Sequence, residues 1–599
     1  MHCRERARVQ GVLTTPREVA KVHPRRLTAV HIDGATGPVI GPTIALLDQS
    51  NRSTKKKMKI LRHRWAWLIL AFLAACETEG TDPNPVTRAR LQSLLQNADS
   101  TTVVELVSGD TLHLSRSTID FYRNRGYEQA WVTDDALTDQ GEQIAKVLAA
   151  TESDGLSPLR YRYDVIRKTV DTLAVEGGGS KGELDEPTEG KYSADVDLLL
   201  TEGFARYALD LAQGTLDPDS AGLSWNIPRG GLGKAGILRA LVREADPTEI
   251  VQRIRPRTPQ YSRLSHVLMR LNEVKRQGGW PRVSEGEIER GDSSNIVAEL
   301  RARLSASEDP REAALAQRGR ARPAVFDRDL FLALQHFQQR HAIDADGELG
   351  PKTIEELNHP VEDRIAEVKI NMDRWRYLPH DLGRIYVLVN VAGFEMSVVE
   401  NNRPIEEMNV VVGQEGWETP IFADTIETMV VNPTWNVPPS ILEEEMANLA
   451  NDPNYLARNN FVRTSNGGLQ QLPGPRNALG QYKFEFPNKD NIYMHDTPAD
   501  QLFSRSSRAF SHGCIRLERP RDLAYLFGEK LAGKSPRQID RLVATGDTHW
   551  IKLRRKIPIY ILYFTTWVDD DNTVRFHHDV YGQDEALQDQ TRKFETRAT

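Results

Sequence analysis

Two residues have the types and spacing for covalent chemistry. His495 closes the apolar run "IYMH", and Cys514 follows 19 residues later inside "SHGCIRL" (Ser511–Leu517). Thiolate attack on a carbonyl needs a base, a group that orients the base, and donors for the oxyanion. A histidine beside a cysteine can accept the thiol proton and favour the thiolate. Asp496, next in sequence, is one candidate to orient His495. Gly513 permits a tight turn, so the Gly513 and Cys514 amides could face an oxyanion. Taken alone, an isolated cysteine is more often a buried structural residue than a nucleophile.

The rest of the cysteine inventory shifts that balance. The 599 residues hold three cysteines, Cys3, Cys76 and Cys514. "KKKMKILRHRW" followed by "AWLILAFLAA" has the basic and short apolar regions of a secretory signal peptide, too short to span a bilayer comfortably. It begins naturally at Met58, which leaves 1–57 as an over-extended start or a separate leader. "LAAC" (Leu73–Cys76) resembles the lipobox of bacterial lipoproteins. That resemblance implies cleavage before Cys76 and acylation of Cys76, giving a stable lipid anchor. Glu77 follows in place of Asp, so no inner-membrane retention signal is evident, and the expected location is the periplasmic side of the outer membrane rather than the inner one. The mature chain then has one free thiol and no intramolecular disulfide. In an oxidising compartment such a thiol is a liability unless it is used.

Charge excludes one class of partner. Residues 1–64 carry 14 Lys/Arg against 4 Asp/Glu, and residues 65–599 carry 63 against 80. An acidic body lacks the basic face that nonspecific nucleic-acid binding requires.

The elements that must position His495 and Cys514 follow from periodicity. A chain of 599 residues suggests three or four domains at roughly 150 residues each. "ETEGTDPNPVTRAR" reads as a polar tether over 76–90. Residues 91–283 form a helical region, with apolar residues at helical spacing in "STIDFYRNRGYEQAWVTD" and "DVDLLLTEGFARYALDLAQG". "VEGGGSKGELDEPTEG" (Val175–Gly190) interrupts it as a surface loop. Residues 284–360 make a small unit with two helical faces, one of Ile296, Val297, Leu300 and Leu304, the other of Leu330, Leu334 and Phe337. From 361 to 585 the period changes to two. "GRIYVLVNVAGFEMSVVEN" alternates like paired strands, "NVVVGQ" and "TIETMVVNPTW" continue as strands, and "KIPIYILYFTTWVDD" and "TVRFHHDVYG" supply two closing strands. Residues 439–485 read as a helical capping insertion, a lid over the β-domain, and 586–599 as a tail. The fold class is α+β.

His495, fifteen intervening residues and then "SHGC" with Arg516 resemble the signature of the L,D-transpeptidase (YkuD) family. "VVVGQEGWETP", "NPTWNVPPSI", "LPGPRNALGQYKFEFPNKDNIYMHDTP" and "WVDDDNTVRFHHDVYG" resemble its long, YcbB-like subgroup. "FYRNRGYEQAWVTD" and "LLLTEGFARYALDLAQGTLDP" are similar to that subgroup's scaffold domain, and the unit at 284–360 resembles a PGB_1-type peptidoglycan-binding domain. The resemblance implies a cysteine transpeptidase that needs no cofactor. Cys514 would attack the L-Lys or diaminopimelate carbonyl of a peptidoglycan tetrapeptide stem and release D-Ala. The amine of an acceptor stem would resolve the thioester into a 3→3 cross-link, with His495 as base. Ser511, His512 and Gly513 would shape the nucleophile turn, the Gly513 and Cys514 amides would serve as oxyanion hole, and Arg516 would hold a substrate carboxylate or the turn. The resemblance also implies cell-wall synthesis partners.

Other residues have two readings each. Tyr493 and Trp435 line the donor cleft or pack in a core. His512 is a second base or a support of the turn. "FHHD" (Phe576–Asp579) is not a metal site, because adjacent histidines on a strand face opposite ways. "DADG" (Asp344–Gly347) is a turn, too short for a calcium loop. Water as acceptor would make the same thioester a carboxypeptidase intermediate, and an outer-membrane lipoprotein amine would make the enzyme a protein-to-wall ligase. A non-catalytic tether, held by the lipid at Cys76 and a wall-binding unit, is the reading from another class.

Overall fold

The computed structural model describes residues 85–598 except 134–135, 178–185, 224, 228–232, 244–245, 445 and 466. Cys76, the signal peptide at 58–75, residues 1–57 and most of the expected tether lie outside the described residues. The end of that tether is structured. Pro85–Leu95 is a helix that buries Thr87, Leu91 and Leu95, so residues 85–90 join the helical region.

That region is built round one long helix, α1 (Glu186–Gln213). Leu198, Leu199, Leu200, Phe204, Ala208 and Leu211 are buried on several sides of it, as in a helix surrounded by others. Its buried acids have backbone partners. The Asp197 carboxylate accepts from the amides of Ala130, Trp131 and Val132 and from the Tyr122 hydroxyl at 2.5–3.1 Å. A loop that would leave buried N–H groups unmet is thereby satisfied. Half of the loop expected at 175–190, residues 178–185, lies outside the described residues, and its ends are helical, in Tyr163–Gly177 and α1.

The small unit packs α3 (Asn295–Ser305), α4 (Pro310–Arg318) and α5 (Arg328–Arg340). Val297, Leu300, Leu304, Leu330, Leu334 and Phe337 are fully buried together, and Ile296 packs against them partly buried. Beside this core Asp309, Glu312 and His336 bring ligand-type atoms within 4.8 Å of one another. Their charge is met by Arg340, whose guanidinium bonds Glu308 at 2.6 Å and Glu312 at 2.9 Å. Against its burial, Arg340 holds the Glu312 carboxyl down at about 2. Arg340→Ala leaves two buried carboxylates without a cation and is expected to cost roughly 3–5 kcal/mol, read as a drop in the unfolding transition of this unit.

A second buried network joins the helical region to α6 (Val361–Arg376). The Asp373 carboxylate accepts from the Thr215 and Leu216 amides at 2.9 Å. Arg376 binds Asp373 at 2.7 Å and the Tyr261 hydroxyl at 2.8 Å; Tyr261 lies on α2 (Pro259–Arg276). α6 then leads into the sheet that carries Cys514 and His495.

The sheet strands are β1 (Ile385–Asn390), β2 (Glu395–Glu400), β3 (Arg403–Gly413), β4 (Ile421–Val431), β5 (Tyr482–Glu485), β6 (Met494–His495), β7 (Ala509–Ser511), β8 (Ile515–Leu517) and β9 (His549–Leu562). They run in the order β5-β6-β8-β3-β2-β1-β9-β4, and the short strand Trp225–Asn226 of the helical region adds to β4. β5 also pairs with β4, which closes the path, and β7 pairs with β3. Alternation decides the faces. Phe484, Met494 and Ile515 are fully buried on one face, where Phe527 of α7 (Pro520–Phe527) meets Phe484 edge-on at 5.5 Å. His495 and its neighbours take the other face.

Three sequence expectations change here. The "TVRFHHDVYG" segment does not close the main sheet: Val574–Phe576 pairs with Thr566–Val568 in a separate hairpin. Tyr482–Glu485, expected inside the lid, is a full member of the main sheet. The lid is not purely helical. Short helices at Pro439–Glu444 and Pro453–Arg458 join a three-stranded sheet of Trp435–Asn436, Leu469–Gln471 and Phe461–Arg463, over a core of Val437, Met446, Ala450, Phe461 and Leu469. The expected tail is helical too, as α8 (Gln583–Ala598), whose Asp584 meets the buried Arg374.

Candidate active site

The parallel pairing of β6 with β8 puts the two candidate residues on neighbouring strands. Met494 stands opposite Ile515 and His495 opposite Arg516, so one step back Tyr493 stands opposite Cys514. Side chains alternate along each strand, so Tyr493, His495, Cys514 and Arg516 share the face away from the helix-covered core. A one-residue slip would carry all four into that core.

His495 is buried, and its Nδ1 donates to the Asp496 carbonyl at 2.5 Å. A carbonyl only accepts, so Nδ1 carries the hydrogen and Nε2 is left as the basic nitrogen. Asp496 therefore orients the base through its backbone and not through its carboxylate. That carboxylate is occupied by the Gln481 and Thr497 amides, each at 2.7 Å. Burial and then the Arg516 guanidinium push the imidazole down to about 3.

Cys514 is half-buried, with Sγ 3.9 Å from the Asn491 carbonyl. Burial pushes the thiol up, against Tyr493 and the charges of Lys483 and Arg516. Burial and the adjacent thiol hold the Tyr493 phenol well above its ordinary range. Thiol up and imidazole down agree: the resting pair is neutral, not an ion pair.

The nucleophile turn is held from inside and outside. Gly513 has φ +96°, and a Cβ there would meet Ile492 Cδ1 at 3.1 Å, which explains a glycine before the cysteine. Ser511 is buried and donates to the Cys514 carbonyl at 2.6 Å. Its hydroxyl also accepts from the Gly513 amide at 3.2 Å. This corrects one expectation: the Gly513 N–H is turned into the loop, which leaves the Cys514 N–H as the backbone donor beside the sulfur. His512 packs edge-on against Trp417, with centroids 5.0 Å apart, a support of the turn.

Two residues that sequence reasoning missed fix this turn to β3. The buried Thr419 hydroxyl donates to the Gly513 carbonyl at 2.8 Å and accepts from the Gly413 amide at 2.9 Å. Tyr581 donates to the Gly413 carbonyl at 2.6 Å. The only hint was the position of "GQEGWETP" and "VYG" beside strand ends. Thr419→Val leaves both partners unmet and is expected to cost about 1–3 kcal/mol, read by thermal unfolding.

The cleft walls include other expected residues. Trp435 lies in the capping sheet opposite Gln471, with its ring 6.3 Å from that of Phe461. Lys483 of β5, opposite His495, places Nζ 4.0 Å over the Tyr493 ring and 2.9 Å from Glu485. A cavity of about 440 Å³ between Trp375, Trp567, Tyr386 and Glu407 lies apart from these residues.

Residues 384–539 match the sequence profile of the L,D-transpeptidase catalytic domain, YkuD. Residues 116–268 match that of the Scaffold domain. The chain carries a YkuD-family catalytic domain on a YcbB-like scaffold. A Haemophilus influenzae protein with a provisional L,D-transpeptidase name is 30% identical over 242 residues, 37% of this chain and 48% of that protein. The chain thus spans about half the length of the curated relative it matches. Among solved structures, an L,D-transpeptidase from Mycobacterium smegmatis is 13% identical over 30% of this chain and 58% of its own, with a TM-score of 0.17. L,D-transpeptidase 3 from Mycobacterium tuberculosis is 12% identical over 30% and 61%, with a TM-score of 0.18.

Proposed function

We propose that this protein is a peptidoglycan L,D-transpeptidase that forms 3→3 cross-links through a thioester at Cys514. The observation that carries the reading is the shared face of β6 and β8, which holds both His495, its Nδ1 committed to the Asp496 carbonyl, and the half-buried thiol of Cys514. In the first half-reaction Sγ attacks the carbonyl of the third stem residue, and His495 Nε2 takes the thiol proton. The tetrahedral oxyanion forms beside the Cys514 amide. His495 returns the proton to the departing amine of D-Ala as the peptide bond breaks. In the second, the side-chain amine of an acceptor stem attacks the thioester, His495 takes its proton, and the thiol is restored. The charge of Arg516 suits a substrate carboxylate.

The unit at 284–360 would hold the glycan strand, and the lipobox would place the enzyme at the periplasmic face of the outer membrane through lipidated Cys76. The test is mass spectrometry of disaccharide tetrapeptides incubated with the full chain or its Cys514→Ala variant. A Cys514-dependent dimer lacking one D-Ala is expected. A Cys514-dependent tripeptide alone assigns hydrolysis, and no change in any product overturns the reading.

A further inference from the structure

The catalytic face does not end at His495. Residues directly opposite one another in neighbouring strands point to the same side of a sheet. Two rows can therefore be followed outward across four strands. One runs from Arg516 to His495, Lys483, Val430 and Trp550. The other starts at Cys514 and Tyr493, the step before the first pair, and continues to Glu485, Thr428 and Lys552. Cys514, Tyr493, Glu485 and Thr428 are all half-buried and Lys552 is exposed, so the second row is an open floor from the nucleophile to β9. Trp550, at the far end of the first row, is 64% exposed.

Most of the large apolar ring of Trp550 is therefore available to pack on a ligand. Lys552 beside it has no ion-pair partner among the described residues. Between 65 and 599 the chain is acidic, yet "WIKLRRK" (Trp550–Lys556) sets an indole against four basic residues. Four strand spacings put Trp550 about 19 Å along the sheet from the strand of Cys514. With the third stem residue at the thiol, the two preceding residues and the lactyl link reach on the order of 15 Å toward the sugar. The next group along is the sugar ring.

We propose that the Trp550–Lys552 end of this floor is a subsite for the glycan-proximal part of the donor stem, with Trp550 stacked on a sugar ring and Lys552 paired to a stem carboxylate. This rests on the transpeptidase reading. The apolar C–H face of a pyranose suits an indole, and an extended ammonium suits the carboxylates of the stem.

The experiment is single-turnover thioester formation at Cys514 by the full chain, followed by mass spectrometry, with disaccharide tetrapeptide or the free tetrapeptide as donor. Wild type is expected to favour the disaccharide form by at least about tenfold in kcat/KM, the worth of one good stacking contact near 1.4 kcal/mol. In Trp550→Ala that preference falls to about one, Trp550→Tyr restores most of it, and Lys552→Glu reduces it. An undiminished preference in Trp550→Ala overturns the subsite, as does a wild type that uses both donors equally. A wild type that acylates with neither donor overturns the transpeptidase reading itself. The Tyr variant separates stacking from folding, since a merely structural role would not recover the ratio of the two donors.

Discussion

Cys514→Ala is expected to abolish cross-linking, lowering turnover by about 10³-fold or more, while the unfolding temperature stays within about a degree of wild type. The two halves of that expectation have separate causes. No other thiol lies among the described residues, so nothing can take over thioester formation. The sulfur is half-buried and sits 3.9 Å from its carbonyl neighbour. Deleting it therefore opens no core cavity and breaks no strong hydrogen bond. The turn survives, because its supports are Ser511, Thr419 and the φ of Gly513 rather than the thiol. Cys514→Ser separates nucleophile from shape: a hydroxyl in the same place, with a far higher pKa and only a neutral imidazole beside it, is expected to remain as inactive as alanine. Cross-linking retained in Cys514→Ala would remove the thioester from the mechanism.

How much of this was legible follows from what each signal depends on. The shared face of His495 and Cys514 was readable because both lie in one local segment, and because His495 ends a period-two run that fixes its side of the sheet. The buried helical faces at Val297, Leu300 and Leu304 and at Leu330, Leu334 and Phe337 were readable for the same reason, since periodicity is local. The partners of the turn were not. Thr419 reaches Gly513 across 94 residues, and Tyr581 reaches Gly413 across 168. Nothing in the period of either segment marks a hydroxyl that will meet a distant carbonyl. The lid departs from its expected bounds for a related reason. "QYKFEF" has its own alternation, but it follows a Gly/Pro/Asn-rich run that resembles a loop, and only pairing with β4 and β6 shows it to be sheet. The orienting group of His495 stayed open in the sequence, with Asp496 one candidate. Sequence shows an aspartate beside a histidine, whereas only the backbone path shows that the carbonyl faces Nδ1.

His495→Gln carries the second large effect, and it separates catalysis from stability by pH. Loss of the base is expected to slow acylation of Cys514, by a stem or a carbapenem-like electrophile, about 10²–10⁴-fold. The resting pair is neutral, so the wild-type thiol is expected to alkylate slowly with iodoacetamide at pH 7 and faster as pH climbs toward the raised thiol pKa. Rapid alkylation at pH 7 would mean an ion pair and a different proton inventory. The stability effect runs the other way. In the folded protein the imidazole is pushed down to about 3, against about 6.5 for an unperturbed histidine. The unfolded chain thus binds the proton more readily, and stability falls as pH drops from about 6.5 toward 3, by up to about 1.4 kcal/mol per pH unit from this group. His577, pushed down to about 3 by burial and Arg575, acts in the same direction, while Asp195, raised to about 6 by burial, partly offsets them between pH 6 and 4. Glutamine cannot take up the proton, so His495→Gln is expected to gain on wild type in denaturant midpoint as pH falls from 7 to 4.5. A constant difference across that range would mean that His495 has the same pKa folded and unfolded, and a wild type that gains on His495→Gln as pH falls would mean an imidazole already charged in the folded state, which could not take the proton from Cys514.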